Sequence, residues 1–192
     1  MIEVIEPEKF RTVAWKNGKG ETIEMAINSG GTLDDFSWRL SMASVVEDGI
    51  FSNFSGYTRN LILVAGDGIN LQHNDSKIDK LTNLLDYATF DGGDKTVGNL
   101  HTNEITDFNV IARTSDYRTI VDCQKKAENI TLEKSDLCFI YSLYKAAELS
   151  FSDIAENKTL PAGHLMKISD LKSQSTHVSG ESIIIVYLNR CR

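Results

Sequence analysis

The sequence predicts an all-β protein, built as an antiparallel sandwich or barrel. Strand-like runs recur about every 8–12 residues, which is the spacing typical of these folds. Short glycine turns separate the runs, and proline occurs only at Pro7 and Pro161. The runs predicted to be strands are Glu21–Asn28, Ser37–Val46, Asn60–Ala65, Phe108–Arg113, Arg118–Cys123, Asn129–Glu133, Leu137–Tyr144, His164–Ile168 and Ser182–Leu188.

Two segments carry a weaker helical pattern. Residues 7–10 could form a single helical turn, since Pro7 suits the first position of a helix. Residues 77–87 place Ile78, Leu81 and Leu85 at helical spacing. Irregular strands explain the same apolar residues equally well in a β-rich chain. The sequence therefore leaves both structures open for this segment.

The composition excludes several classes of protein. The 192 residues carry 20 basic and 27 acidic side chains, a net charge of −7. This charge argues against binding to nucleic acid or to an anionic membrane surface, because both need a basic footprint. The longest aliphatic run, Ile183–Val186, is far too short to span a bilayer.

The N-terminal residues and the cysteines predict a cytoplasmic location. The first seven residues lack the basic and apolar regions of a signal peptide. Cys123, Cys138 and Cys191 are odd in number and widely spaced, so we expect free thiols in a reducing compartment. Cys138 lies in an apolar run and is predicted to be a small buried hydrophobic residue.

Several motifs occur in the order known from one family. The segment from Trp15 to Glu24 resembles the Trp-x-Asn-Gly-Gly-Gly-x-Thr-x-Glu signature of the HutD/Ves family, with Lys19 in place of the middle glycine. Lys19 would add a cation at the rim of a site or change which ligand fits. Further matching blocks are Phe36–Ala43, Asp48–Gly56, Arg59–Leu61, Gly66–Gly68, Phe90–Asp94 and Asp107–Arg113.

This resemblance implies a bicupin, in which two jelly-roll barrels pack closely within one compact domain spanning residues 1–192. The N-terminal unit would cover roughly residues 1–110 and the C-terminal unit roughly residues 111–192, with the second unit beginning between residues 100 and 125. The resemblance also implies a link to histidine utilisation, with N-formylglutamate, formiminoglutamate and urocanate as candidate ligands.

The strand around Trp38 presents a polar face that suits a binding site. Residues alternate between the two faces of a strand. Trp38, Leu40 and Met42 therefore form a core face, while Arg39 and Ser41 share the opposite face. That face is either solvated or the wall of a polar barrel interior, and the family resemblance favours the wall.

Arg59 follows an aromatic-rich loop and supplies a planar cation suited to a carboxylate. The alternative is that it only covers the rings that close the barrel. Asp107, Asn109 and Arg113 share one strand face, where they form either an internal polar network or part of a site. The predicted ligand-binding residues are Asn17, Arg39, Ser41, Ser52, Arg59, Asp107, Asn109 and Arg113.

No metal or other cofactor is expected. Metal-dependent cupins use a His-x-His pair, and none of the four histidines here is so paired. Only the turn Pro161–His164 resembles a cupin metal motif, and one histidine does not make a site.

The sequence thus predicts a metal-free protein that binds a small anionic metabolite in a sensing or regulatory role, without excluding a homodimer. One alternative is a cupin-type isomerase or hydrolase with Asp107 or Glu24 as the base. Another is a stress-related interaction protein with a vestigial pocket. The binding protein is preferred over the enzyme.

Overall fold

The computed structural model describes residues 1–15, 21–152, 154–171 and 175–192, and for residues 154–156 it describes the backbone alone. Alternating β-branched and aromatic residues form strands throughout, with a single 3-10 turn at Pro7–Lys9. The strands are β1 (Ile2–Ile5), β2 (Arg11–Ala14), β3 (Glu21–Ile27), β4 (Trp38–Val45), β5 (Gly49–Ile50), β6 (Tyr57–Ala65), β7 (Ile69–His73), β8 (Lys77–Leu81), β9 (Tyr87–Asp91), β10 (Thr96–Leu100), β11 (Ile105–Arg113), β12 (Tyr117–Gln124), β13 (Glu128–Thr131), β14 (Ser135–Ser142), β15 (Ala147–Phe151), β16 (Ile154–Leu160), β17 (Leu165–Leu171), β18 (Thr176–Gly180) and β19 (Ile183–Arg190).

The chain divides into two compact units. We call residues Phe10–Tyr117 the central unit, and Met1–Lys9 together with Arg118–Arg192 the terminal unit. The break after Tyr117 falls within the range of 100–125 expected for the start of the second unit, but residues 1–9 do not belong with the rest of the expected unit 1–110. Strand β1 pairs with β17, so the first residues of the chain belong with its C-terminal part. No local pattern encodes such a long-range pairing.

The central unit is formed by two antiparallel sheets. The larger has the order β2-β3-β4-β11-β6-β9, and the smaller has the order β5-β10-β7-β8. Both sheets contribute to one apolar cluster, which includes Leu61 and Leu63 from β6 and Ile69 and Leu71 from β7. On β11, Ile105 joins this cluster and is followed on the same face by polar residues. The core therefore fills one part of the interior and leaves the rest to polar side chains.

The terminal unit repeats this plan with sheets of order β1-β17-β14-β19-β12 and β13-β18-β15-β16. Its core is apolar and includes Cys138, Ile140, Leu149 and Ile185. Cys138 is fully buried, as predicted, and burial raises the pKa of its thiol well above the usual range. The all-β prediction is confirmed, because both units consist of antiparallel sheets.

Residues 77–87 form strands and a turn, not a helix. Strand β8 ends at Leu81, and β9 begins at Tyr87. Between them Leu85 has a φ of 64°, in the left-handed region, and its side chain is buried. The apolar spacing in this segment reflects the turn, which returns Leu85 to the core.

Across the ranges that the structure describes, no helix is long and apolar enough to cross a membrane.

Candidate functional site

A pocket of ≈ 960 Å³ lies within the central unit. Strands β4, β6 and β11 supply its polar wall, and residues 46–55 supply much of the remaining lining. The lining residues are Val13, Ala14, Trp15, Thr22, Leu33, Asp34, Phe36, Arg39, Ser41, Ala43, Val45, Val46, Glu47, Asp48, Gly49, Ile50, Phe51, Ser52, Asn53, Phe54, Ser55, Tyr57, Arg59, Asp107, Asn109 and Ile111.

Strand register brings the polar residues of the wall together. On β11, Asn109 pairs with Ser41 of β4 on one side and with Leu61 of β6 on the other. Ile111 pairs in the same way with Arg39 and Arg59. The inward positions of three adjacent strands therefore meet at one place. Arg39 is 7% exposed and Ser41 is 2% exposed, so this face is a barrel wall and not a solvated surface.

Arg59 is a buried cation held by neutral groups. Its Nε and Nη2 atoms donate hydrogen bonds of 2.9 and 2.7 Å to Oδ1 of Asn109. The guanidinium carbon lies 4.7 Å from the ring centroid of Phe51, 5.6 Å from that of Phe90 and 6.0 Å from that of Phe54. Within the described ranges, no carboxylate lies at ion-pair distance from Arg59.

Burial lowers the pKa of Arg59 to about 10, although the charge of Asp107 acts in the opposite direction. The guanidinium therefore stays protonated at neutral pH. Arg59 is 6% exposed, so its charge is poorly solvated. Among the described residues its direct contacts are aromatic rings and an amide oxygen, and Asp107 acts on it only at longer range. An unpaired buried cation of this kind attracts an anion, because a counter-charge recovers part of the lost solvation.

A glycine makes room for the ring nearest to Arg59. A Cβ atom at Gly98 of β10 would lie 2.5 Å from the Phe51 ring. Only glycine permits this approach, and the ring then packs against the guanidinium of Arg59. Gly98 is thus a positioning residue for the aromatic side of the pocket.

Asp107 lies behind Asn109 and orients it. The Nδ2 atom of Asn109 donates to Oδ1 of Asp107, which turns the amide oxygen of Asn109 towards Arg59. Asp107 is fully buried, and its Oδ2 atom has no hydrogen-bond partner among the described residues. Burial raises the pKa of Asp107 to about 6, although the charge of Arg59 and the hydrogen bond from Asn109 act in the opposite direction. Asp107 is therefore a carboxyl group that can change its protonation state near neutral pH.

The second arginine is neutralised by a different carboxylate. Arg39 Nε donates to Oε2 of Glu24 over 2.8 Å, and both side chains are buried. Glu24 pairs with Ser41 across β3 and β4, which places its side chain on the inward face beside Arg39. Glu24 does not line the pocket.

Of the three remaining predicted site residues, only Ser52 is described as part of the pocket lining. Ser52 lines the pocket from the loop that follows β5. Arg113 does not line it, although it shares a strand face with Asn109. It sits at the end of β11, where its guanidinium pairs with Asp35 and donates to the Tyr57 hydroxyl over 3.0 Å. Asn17 lies outside the described residues.

Three features of the pocket were missed by sequence reasoning. They are the Glu24–Arg39 pair, the contact of Phe90 with Arg59 and the space left by Gly98. Each depends on which strands lie side by side. The glycine in the alternating run of β10 was the one local signal, because glycine within a strand often marks a close approach.

Within the described part of the chain, no group of three or more His, Cys, Asp or Glu side chains could hold a metal ion. His73 is buried, with Nδ1 2.9 Å from Thr96 Oγ1 and Nε2 3.2 Å from Asp79 Oδ2. Its ring packs against Phe90, with the centroids 4.5 Å apart. These contacts explain His73 as part of the protein interior.

Sequence comparison identifies relatives of the chain. The HutD family model matches residues 7–186. An uncharacterised 21.2 kDa protein in the hutC 3′ region of Pseudomonas putida is 35% identical over 117 residues, or 61% of each chain. Protein Ves of Escherichia fergusonii is 34% identical over 113 residues, or 58% of each chain. The matched segments thus span less than two thirds of these relatives.

Structural comparison finds the same architecture. HutD from Pseudomonas fluorescens SBW25 superposes with a TM-score of 0.83 at 23% identity, covering 100% of both chains. A conserved protein of unknown function from Pseudomonas aeruginosa PAO1 superposes with a TM-score of 0.88 at 23% identity, covering 98% of this chain and 99% of the other. At these identities the likeness is one of fold.

Proposed function

The chain belongs to the HutD family, and we propose that the pocket of its central unit binds a small carboxylate metabolite of histidine utilisation in a sensing role. The family is linked to the histidine utilisation region through the relative named for the hutC 3′ region. N-formylglutamate, formiminoglutamate and urocanate all carry a carboxylate. The proposal covers them as one chemical class.

The observation that carries this proposal is the isolation of Arg59. A buried arginine is usually paired with a carboxylate, because desolvating an unpaired charge is costly. Within the described ranges, the hydrogen bonds of Arg59 go only to Asn109. A ligand carboxylate would supply a direct ion-pair partner, and the guanidinium geometry suits it.

The size and rim of the pocket support a small organic ligand. A volume of ≈ 960 Å³ falls within the range of roughly 300–1,000 Å³ typical of small-molecule sites. Val46 and Ile50 also line the pocket and are 50% and 71% exposed. Such exposed apolar residues suit the carbon skeleton of a ligand whose carboxylate lies against Arg59.

One observation favours catalysis as a second candidate function. Asp107 has a pKa raised to about 6 by burial, which suits a general base at neutral pH. Glu24, the other candidate base, is paired with Arg39. Incubating each ligand with the protein and following its NMR spectrum distinguishes the two functions. A binding protein leaves the ligand chemically intact, although its signals can broaden or shift, whereas an enzyme produces the signals of a new compound.

Thermal-shift and calorimetric titrations with the three metabolites, formate and acetate test the proposal. Formate is a suitable minimal probe, since the Pseudomonas fluorescens HutD structure was determined in a formate condition. At a hundredfold excess over its dissociation constant, a ligand should stabilise the protein by about 2.7 kcal/mol.

Arg59→Lys keeps the charge but removes the planar fork, so carboxylate affinity should fall at least about tenfold, a loss of about 1.4 kcal/mol. Arg113→Lys makes the same chemical change outside the pocket lining and is the matched control. Equal losses in the two variants, or no binding across the whole panel, would contradict the proposed site.

A further inference from the structure

We infer that the pocket takes up one proton together with its anion, and that Oδ2 of Asp107 receives this proton. The inference rests on the proposed carboxylate site and describes how that site balances charge. It makes Asp107 a positioning residue that acts on the ligand through Asn109 and Arg59.

The buried charges of the wall form two separate sets. Arg39 and Glu24 are in direct contact at 2.8 Å and neutralise each other. Among the described residues, the amide of Asn109 links Arg59 to Asp107, since it accepts from Arg59 and donates to Asp107. In the second set, the side chain of Asn109 thus separates the carboxylate of Asp107 from the guanidinium of Arg59 that balances its charge.

An anion beside Arg59 would change this balance. It would add a second negative charge to a region where Arg59 is the charged side chain acting on Asp107. Two negative charges sharing one buried cation repel each other, and the one without access to solvent is the more costly to keep. Asp107 is 0% exposed, so it is the group that should become neutral.

Geometry provides a place for the proton. The Oδ1 atom of Asp107 already accepts from Asn109, whereas Oδ2 has no hydrogen-bond partner in the described part of the chain. A proton from bulk water can therefore bind to Oδ2 while the hydrogen bond that orients Asn109 remains. The only bond formed is the O–H bond, and no electron transfer is involved. The pKa of Asp107, already raised to about 6, makes this step accessible near neutral pH.

The groups around Asp107 do not compete for this role. Its neighbour Ala43 on β4 and its neighbour Leu63 on β6 cannot titrate. Along the same faces, Arg39 is paired with Glu24 of β3, and Arg113 is paired with Asp35 at the end of β11, which leaves Arg59. The other charged residues that line the pocket are in loops, namely Asp34, Glu47 and Asp48. From the smaller sheet, β7 contributes Ile69 and Leu71 to the shared core. His73 on β7 is paired with Asp79 and is the other buried group that needs a control.

This charge balance narrows the class of ligand. With Asp107 neutral and Arg39 paired with Glu24, Arg59 leaves one net positive charge in the wall. One ligand carboxylate neutralises it. The site therefore suits a ligand that buries a single carboxylate, and a second acidic group of the ligand must remain at the exposed rim.

NMR of the full-length protein with formate as the probe tests the inference. The ¹³C shift of the Asp107 carboxyl is followed against pH with and without saturating formate, and the dissociation constant of formate is measured at each pH. We expect the Asp107 midpoint to rise on saturation. Between the two midpoints, formate affinity should increase about tenfold for each unit of pH decrease. Below the lower midpoint it should level off, because Asp107 is then protonated in both states.

Two variants assign the proton. Asp107→Asn keeps an acceptor for Asn109 but cannot titrate, so formate should bind with no pH dependence in this range. His73→Gln should leave the pH dependence as in the wild type. If Asp107→Asn does not fold, the carboxyl titration of the wild type by itself shows whether Asp107 takes up the proton.

The outcomes separate this inference from the proposed function. Formate binding with an unchanged Asp107 midpoint, or pH dependence that survives in Asp107→Asn, overturns the proton uptake and leaves the carboxylate site intact. If formate does not bind at any pH, the carboxylate site is wrong and the proton uptake with it.

Discussion

The central and terminal units have the same architecture but different interiors. The central unit buries four charged residues, Glu24, Arg39, Arg59 and Asp107. The described buried polar residues of the terminal unit are all hydroxyl residues, namely Ser135, Ser142, Thr176 and Ser182. The terminal unit therefore shows that this architecture can form around an apolar interior. The charges of the central unit are not needed for the fold, and their cost in stability indicates a role in binding.

Breaking the Glu24–Arg39 pair should have the largest effect. Glu24→Ala leaves Arg39 buried without a counter-charge, and we expect the free energy of unfolding to fall by about 3–5 kcal/mol. Urea unfolding followed by tryptophan fluorescence measures this change, since Trp15 and Trp38 both lie in the central unit.

The terminal unit offers a matched control for this variant. Glu181 pairs with Lys145, and their side chains are 36% and 66% exposed. Glu181→Ala should cost less than about 1 kcal/mol, because solvent screens an exposed pair. Equal losses in the two variants would contradict the contrast between the two interiors.

A core substitution in the terminal unit should affect stability without affecting binding. Ile185 is fully buried in the apolar cluster, so Ile185→Ala should cost about 2–5 kcal/mol by leaving a cavity. Urea unfolding followed by circular dichroism measures the loss. Formate affinity below the unfolding transition should stay within about twofold of the wild type, since the pocket lies in the central unit. A larger fall in affinity would show that binding depends on the terminal core.

Asp107 should make stability depend on pH, with a smaller effect. Burial raises its folded-state pKa to about 6, above the ordinary value of 3.8. The folded state then holds the proton more tightly, so stability is greatest below the ordinary value and falls as pH rises towards 6. At neutral pH the penalty should be about 1–3 kcal/mol.

Asp107→Asn removes this penalty, and its free energy of unfolding should exceed that of the wild type at neutral pH but not near pH 4. Urea titrations at the two pH values check this expectation. If Asp107→Asn were equally destabilised at neutral pH and near pH 4, the carboxylate would stabilise the folded state and would not lower its stability.

Local patterns in the sequence predict part of the site. The period of two along a strand placed Arg39 with Ser41, and Asp107 with Asn109, on shared faces, and the structure has these faces lining the pocket. The same rule grouped Arg113 with Asn109, yet Arg113 lies beyond the pocket at the end of β11. Periodicity indicates which face a residue occupies, but not how far along the strand the cavity extends.

Other features depend on strand neighbours and could not be predicted. The Glu24–Arg39 pair requires β3 to lie beside β4 with Glu24 opposite Ser41. The pairing of β1 with β17 brings together residues more than 150 positions apart in the sequence, and no local signal encodes it. The rings around Arg59 come from the loop before β6 and from β9, which are adjacent only in the folded sheets.

The central claim is that Arg59 binds the carboxylate of a small metabolite. NMR signals of the arginine side-chain Nε–H groups, recorded while formate is added, test it most directly. We expect the Arg59 signal to shift and saturate, because a carboxylate hydrogen-bonds to its guanidinium, while the Arg113 signal outside the pocket stays in place. An unchanged Arg59 signal, or parallel unsaturated shifts of both arginines, would contradict the account.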